Sequence, residues 1–342
     1  MSVDLNLAAL QAWFRVNLPD AGQVAAVEKF AGGQSNPTYR IVTAAGDYVL
    51  RRKPFGELLA SAHAVDREFA LLSALQPTGY PVPRPLTLCE DESVIGSMFY
   101  VMTLVQGRTF WDGALPDLTP GARRITYTAM IAALAQLHAV DVEKVGLRQF
   151  GRPGNFFSRQ VDRWTRQYRS AQTEPSATMD ALIEWLPRTV PAQERTSIVH
   201  GDYRIDNLVF DEASYKVSAV LDWELATLGD PMADFTYLAL NWVMPHAPGH
   251  AGIGGLDLTA LGIPTLDEAI ALYGELSGAP MPANLDWYMA FNLFRGIGIV
   301  QGIKKRQLDG NGSGSHEAPI IKALPMMIEA AWGFAARAGA TA

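Results

Sequence analysis

Residues 197–207 read SIVHGDYRIDN, two apolar residues after Ser197 running straight into His200, Asp202, Tyr203, Arg204, Asp206 and Asn207. The next stretch, NLVFDEASYKVSAVLDWE, has two short β-prone runs around an Asp-Glu-Ala-Ser turn, which is hairpin chemistry. Such a hairpin returns Asp222 to the polar cluster it left at Asn207. Phosphoryl transfer from a nucleotide requires a set of this kind: a carboxylate facing the acceptor hydroxyl, and an amide with a second carboxylate to hold Mg²⁺. Asp202, Asn207 and Asp222 are the candidates.

Working outward, the rest of the 342-residue chain bounds the possibilities. Its hydrophobic content of 49% is enough for a sizeable core divided into two lobes. Lys and Arg total 28 against 35 Asp and Glu, and no long run of one sign occurs, which argues against a nucleic-acid partner. No run approaches the roughly 20 apolar residues of a membrane span, and MSVDLNLAALQAWF lacks a signal-peptide pattern. Cytoplasmic residence without a membrane partner is the expectation. The single cysteine, Cys89, excludes an internal disulfide, and no Cys/His spacing suits zinc. A metal here is expected on oxygen ligands.

Residues 1–104 read as strand-rich, with one helix in HAVDREFALLSAL ended by YPVPRP. After SMFYVMTLV the texture becomes helical, so the boundary is placed near Val105, giving lobes 1–104 and 105–342. Residues 158–184 read as a polar helical insertion, and DGNGSGS at 309–315 as a flexible loop. His246 and His250 in MPHAPGH lack a third ligand and read as loop residues. No Walker string and no G-x-S-x-G elbow occurs.

HGDYRIDNLVF, VLDWELATLGDPMADF and GGQSNPTYRI resemble the aminoglycoside phosphotransferase and choline-kinase branch of the protein-kinase-like fold. VLRRKPFG, SAHAVDREF, PVPRP and FRGIGIVQGIKKR are similar to the phosphotransferase domain fused to acyl-CoA dehydrogenases and to its free-standing bacterial relatives. The resemblance runs from about Phe30 to Leu308. It implies an α+β, bilobal fold with a small antiparallel sheet and a larger, mainly helical lobe. It also implies ATP and Mg²⁺ as cofactors, Asp202 as the catalytic carboxylate, and Asn207 and Asp222 as metal ligands. His200, Asp230 and Asp234 would be structural, bracing loops and helix starts. Gly32, Gly33, Gln34, Ser35 and Asn36 would turn over the phosphates, with Ser35 or Asn36 donating. Met102 would line the adenine pocket, with the Thr103 carbonyl and Val105 amide bonding the base. The strand lysine that usually pairs with a helix glutamate is replaced: Arg51 is the first choice as mate of Glu68, Lys53 the second.

The acceptor is a small molecule bearing a hydroxyl, and the family does not name it. Arg295, Lys304 and Arg306 are candidates to face an anion, making a hydroxyacyl-CoA or hydroxy acid the leading expectation. An aminoglycoside or choline-type acceptor is the alternative, the latter resting on an aromatic cage from Trp242, Tyr237 and Trp287. A nucleotide-binding pseudokinase is the competing class. Oligomeric state is not readable from the sequence.

Overall fold

The computed structural model describes residues 5–30, 36–55, 64–310 and 317–341. Helix α1 (Leu7–Asn17) precedes three strands of an antiparallel meander, β1 (Val24–Lys29), β2 (Thr38–Thr43) and β3 (Gly46–Arg52). Helix α2 (Val65–Leu75) follows, then β4 (Pro85–Cys89) and β5 (Phe99–Thr103), which complete a sheet of order β1-β2-β3-β5-β4. The first lobe thus has α1 as well as the single helix expected from the sequence. Leu10 and Phe14 of α1 are fully buried against Tyr39, Ile41, Leu50, Phe99 and Val101, forming a separate small core on one face of the sheet.

Alternation along β3 sends its two arginines to opposite faces. Leu50 and Arg52 look toward α1, where Arg52 lies over the Phe55 ring at 3.6 Å. Val49 belongs to the main core with α2, so Arg51, two residues on, shares its side. In α2, Val65, Glu68, Leu72 and Leu75 recur at helical spacing and are buried, which places one carboxylate among the apolar residues of the packed stripe.

The remainder is mainly helical: α3 (Pro120–Ala139), α4 (Phe156–Ala171), α5 (Ala177–Arg188), α6 (Met232–Ala239), α7 (Leu258–Leu261), α8 (Leu266–Ser277), α9 (Asp286–Leu308), α10 (Glu317–Lys322) and α11 (Leu324–Arg337). Short strands interrupt it: β6 (Ser197–Val199) pairs with β9 (Thr227–Gly229), and β7 (Leu208–Phe210) with β8 (Val217–Val220) in the anticipated hairpin. The polar insertion resolves into α4 and α5, both packed on α9. Buried Trp287, Tyr288, Phe291 and Phe294 on α9 anchor this lobe, with Phe157 of α4 edge-on to the Trp287 ring at 5.2 Å. Among the described residues no helix is long and apolar enough to cross a membrane.

Candidate active site

Strand β6 delivers His200, and the chain then turns at Gly201 with φ +85°. A Cβ there would also lie 2.9 Å from the Leu225 carbonyl oxygen, so backbone conformation and space both demand glycine. Asp234, in the first turn of α6, holds the loop from within: its carboxylate accepts the His200 N–H at 2.6 Å and the Gly201 N–H at 2.8 Å. The His200 ring links the next residues to the hairpin. Its Nε2–H donates to the Leu221 carbonyl at 2.8 Å, which leaves Nδ1 to accept the Asp202 N–H at 3.2 Å and assigns the neutral tautomer.

Behind Asp234 sits a second buried histidine, His138 of α3. Its Nε2 is 3.4 Å from Asp234 Oδ2 and its Nδ1 is 2.6 Å from the Tyr273 hydroxyl. Burial alone would raise the Asp234 pKa, but the His138 ring and the Gly201 N–H hold it below the ordinary carboxylate value.

The loop presents Asp202 with both oxygens engaged. Tyr237 of α6 donates to Oδ1 at 2.8 Å, and Asn207 Nδ2 donates to Oδ2 at 3.1 Å and to the Asp202 carbonyl at 2.9 Å. Arg204, left unassigned by its sequence context, has Nε 3.5 Å from Asp202 Oδ2 and pairs with Asp206 at 2.5 Å. The Leu221 N–H donates to the Asn207 carbonyl at 2.8 Å, and this bond sets residue 221, and so Asp222, alongside Asn207. Asp222 itself adopts the left-handed conformation, φ 64° and ψ 64°, which Asp tolerates better than most side chains and which is common at functional turns.

From the sheet, Arg51 reaches across to the same point. Its Nη2 is 2.7 Å from Asp222 Oδ1, while its Nε lies 2.8 Å from Glu68 Oε2. Glu68 also accepts from the Tyr100 hydroxyl at 3.0 Å and the Asn36 amide at 3.1 Å. Burial opposes the charge of Arg51, but Glu68, Tyr100 and Asp222 overcome it and push its pKa above the usual guanidinium value. Arg51 is therefore the mate of Glu68. Lys53 has its ammonium 3.8 Å from Asp66 instead, two residues before Glu68 on α2. Arg51→Ala removes the cation from a buried carboxylate, and a urea titration is expected to show a loss of about 3 kcal/mol, the low end for a broken buried pair because Glu68 keeps two neutral donors.

Other sequence candidates fall in different places. Gly32, Gly33, Gln34 and Ser35 lie outside the described residues. Asn36 is buried with its amide on Glu68, so that amide is directed at the ion pair. Met102 is buried in the main core facing α2, and the Thr103 N–H donates to the Arg84 carbonyl at 3.0 Å. Trp242 does not belong to an aromatic cage: it is 8% exposed, packs edge-on to Tyr127, and its Nε1–H donates to the Pro264 carbonyl. Tyr237 is likewise committed, to Asp202.

The basic residues of α9 do not converge. Arg295 donates to the Gly201 carbonyl and stacks over Tyr237 and Trp164. Lys304 pairs with Glu174, and Arg306 is exposed at the helix end. At 1.5 Å per residue these two stand roughly 13 and 16 Å further along the axis. Arg295 instead lines a cleft of about 100 Å³ beside Gly201 with Gln160, Arg163 and Trp164 of α4. Sequence reading did not single out Arg163 and Trp164, because the polar texture of 158–184 gives no sign of what it packs against. Nor did it single out His138, which reads as one more residue of a long amphipathic helix.

His246 contacts the Gly252 carbonyl at 3.1 Å, and the His250 carbonyl accepts from Gly113, so this segment is a loop pinned to a loop. Among the described residues there is no group of three His, Cys, Asp or Glu arranged for a metal. The metal candidates are the mixed amide–carboxylate pair Asn207 and Asp222.

Known proteins resemble this chain along most of its length. Mouse acyl-CoA dehydrogenase family member 10 is 46% identical over 312 residues, covering 91% of this chain and 29% of the relative. Rat acyl-CoA dehydrogenase family member 11 is 38% identical over 314 residues, covering 90% and 40%. The chain thus spans less than half the length of these curated relatives. Among solved structures, a Ralstonia eutropha protein provisionally assigned as an aminoglycoside phosphotransferase superimposes with a TM-score of 0.89 at 44% identity, covering 97% of this chain and 99% of that one. A thermostable mutant of an aminoglycoside phosphotransferase in ternary complex with ADP and hygromycin B gives 0.61 at 15% identity, covering 98% and 100%, and shares the fold. The model of the phosphotransferase enzyme family matches residues 26–289. This chain belongs to the phosphotransferase enzyme family, whose members transfer phosphoryl groups to hydroxyls.

Proposed function

We propose that this protein is an ATP- and Mg²⁺-dependent small-molecule kinase whose acceptor is a hydroxylated anion, with a hydroxyacyl-CoA or hydroxy acid as the leading substrate class. One observation carries the phosphotransfer reading: Asp202, with both oxygens positioned by Tyr237 and Asn207, next to the turn at which Asp222 meets Arg51. Residues 1–104 would form the nucleotide lobe and 105–342 the catalytic lobe, with Thr103 and Val105 at the junction.

In this reading Asp202 receives a hydrogen bond from the acceptor hydroxyl and takes its proton as the oxygen–phosphorus bond forms and the bond from the γ-phosphorus to the bridging oxygen breaks, releasing ADP. Tyr237 and Asn207 fix the carboxylate so that an in-line approach needs no rearrangement. Asn207 and Asp222 offer hard oxygen donors, the ligand type magnesium requires, and would hold the ion. An Mg²⁺ ion held there would supply charge neutralisation for the phosphoryl oxygens. Arg51, anchored through Nε by Glu68, would exchange its Nη2 contact with Asp222 for the nucleotide phosphates.

The acceptor reading rests on Arg163 and Arg295 in the cleft beside Gly201. Trp164 adds a buried indole N–H with no hydrogen-bond partner among the described residues. Guanidiniums repel a polycationic aminoglycoside, and the commitments of Trp242 and Tyr237 weigh against a quaternary-ammonium cage. Turnover of Mg·ATP should be assayed against hydroxy acids, hydroxyacyl-CoAs and kanamycin. Phosphorylation of kanamycin alone would sink the anionic acceptor; nucleotide binding without phosphorylation of any acceptor, water included, would sink the kinase reading in favour of a pseudokinase. Asp222→Asn is expected to weaken Mg·ATP binding at least tenfold by titration calorimetry, and an unchanged affinity counts against its role as a ligand.

A further inference from the structure

A cavity of about 440 Å³ opens between the segment entering β6, the start of α6 and the link from α8 to α9. It shares no lining residue with the cleft beside Gly201. Asp230 stands at its wall, only 6% exposed. Its Oδ1 accepts the Met232 N–H at 2.9 Å; among the described residues Oδ2 takes no hydrogen bond and no cation lies within ion-pair distance. Arg195 is near enough to act on this charge, but its guanidinium donates to the His138 carbonyl at 3.3 Å. Tyr288, 5% exposed, also lines the cavity, and its hydroxyl has no partner among the described residues. Two largely buried side chains thus each leave a polar atom without a protein partner, open to the same solvent-reached space.

We infer that this cavity binds a small organic ammonium ion, an alkylamine whose NH₃⁺ rests on Asp230 and whose carbon chain lies against Tyr288 and Met281, with the buried Tyr273 in the wall behind them. An ammonium supplies the opposite charge and the donors that Oδ2 lacks. Glu194 at the rim adds a second carboxylate, so an anion would find only Arg195 in its favour. The inference is independent of the acceptor assigned above and concerns a separate site.

Occupation has a route to the catalytic loop. Tyr273 forms part of the cavity wall and is 2.6 Å from His138, which contacts Asp234, the residue that holds the His200 and Gly201 amides. Asp230 also lies one helical turn before Asp234 at the start of α6. A ligand that orders this corner is expected to slow amide exchange in residues 199–203.

The test uses the full chain and n-butylammonium chloride in titration calorimetry at pH 7.5, with n-butanol and inorganic phosphate as comparison ligands. Saturable binding of the ammonium is expected, weakened at least tenfold by Asp230→Asn, which retains an oxygen for the Met232 N–H and so preserves the helix start. Burial pushes Asp230 up to about 6, with Glu194 raising and Arg195 lowering it, while Tyr273 and Tyr288 also face the cavity. Affinity therefore falls as pH drops through about 6, where the carboxylate takes up its proton. Equal binding of butanol, preferential binding of phosphate, absence of ammonium binding at millimolar concentration, or an Asp230→Asn variant that binds unchanged would each overturn the inference. Hydrogen exchange gives a readout that needs no turnover: protection of residues 199–203 by the ammonium in wild type, lost in Tyr273→Phe while binding persists, is the expected result. Identical protection in both proteins would overturn the route through His138.

Discussion

Asp202→Ala is expected to reduce phosphotransfer by about 10³-fold, within the range typical of a positioned general base, while leaving Mg·ATP affinity within about twofold. The structural basis is the division of labour at the loop. Asp202 reaches its surroundings through Tyr237 and Asn207, whereas the contact to the sheet side of the site is made by Asp222 through Arg51. Removing the Asp202 carboxylate takes away the acceptor for the substrate proton but not the oxygens assigned to the metal. Tyr237→Phe gives the graded control: one hydrogen bond to Oδ1 is lost, the carboxylate stays, and a fall of roughly tenfold is expected from an interaction of about 1.5 kcal/mol. Single-turnover rates alongside nucleotide titrations separate the two effects. A rate unchanged in Asp202→Ala would remove it from the mechanism.

Asp234→Ala is expected to cost about 5 kcal/mol of stability, the upper end for breaking a buried charged network. Three groups lose an acceptor at once: the His200 N–H, the Gly201 N–H and the His138 ring. The two amides belong to a segment buried at its start, where water does not replace the carboxylate without opening the loop. The effect has a pH signature. Because the folded-state pKa of Asp234 lies below its ordinary value near 4, its contribution is complete above that value and is lost as pH falls through the folded-state pKa. Wild type and Asp234→Ala should therefore differ fully at pH 7 and converge in strongly acidic solution, as followed by denaturant titrations across pH. A gap that is constant down to pH 2 would show that the carboxylate charge is not what stabilises the loop.

Much of the fold was legible because its signals are local. Apolar spacing placed α2, Pro-rich punctuation ended it, and the Asp-Glu-Ala-Ser turn located the β7–β8 hairpin that returns Asp222 to Asn207. The omission of α1 has a local cause too: its buried residues Leu10 and Phe14 give a thin stripe, and the partner surface is the outer face of a sheet whose strands come later in the chain.

The sequence by itself carried the fold class, through its family resemblance, and brought Asp202, Asn207 and Asp222 together, since these and the hairpin lie within one short span where spacing dictates proximity. It also narrowed the partner of Glu68 to Arg51 or Lys53. Tertiary structure decided between them, because strand pleating and the position of α2 send Arg51 inward while Lys53 ends beside Asp66. It likewise gave Tyr237 to Asp202, withdrew Trp242 into the core, and separated Arg295 from Lys304 and Arg306. Those outcomes depend on contacts between residues from 13 to 130 positions apart on different elements, and no local periodicity encodes which side chain will fill the space another element leaves.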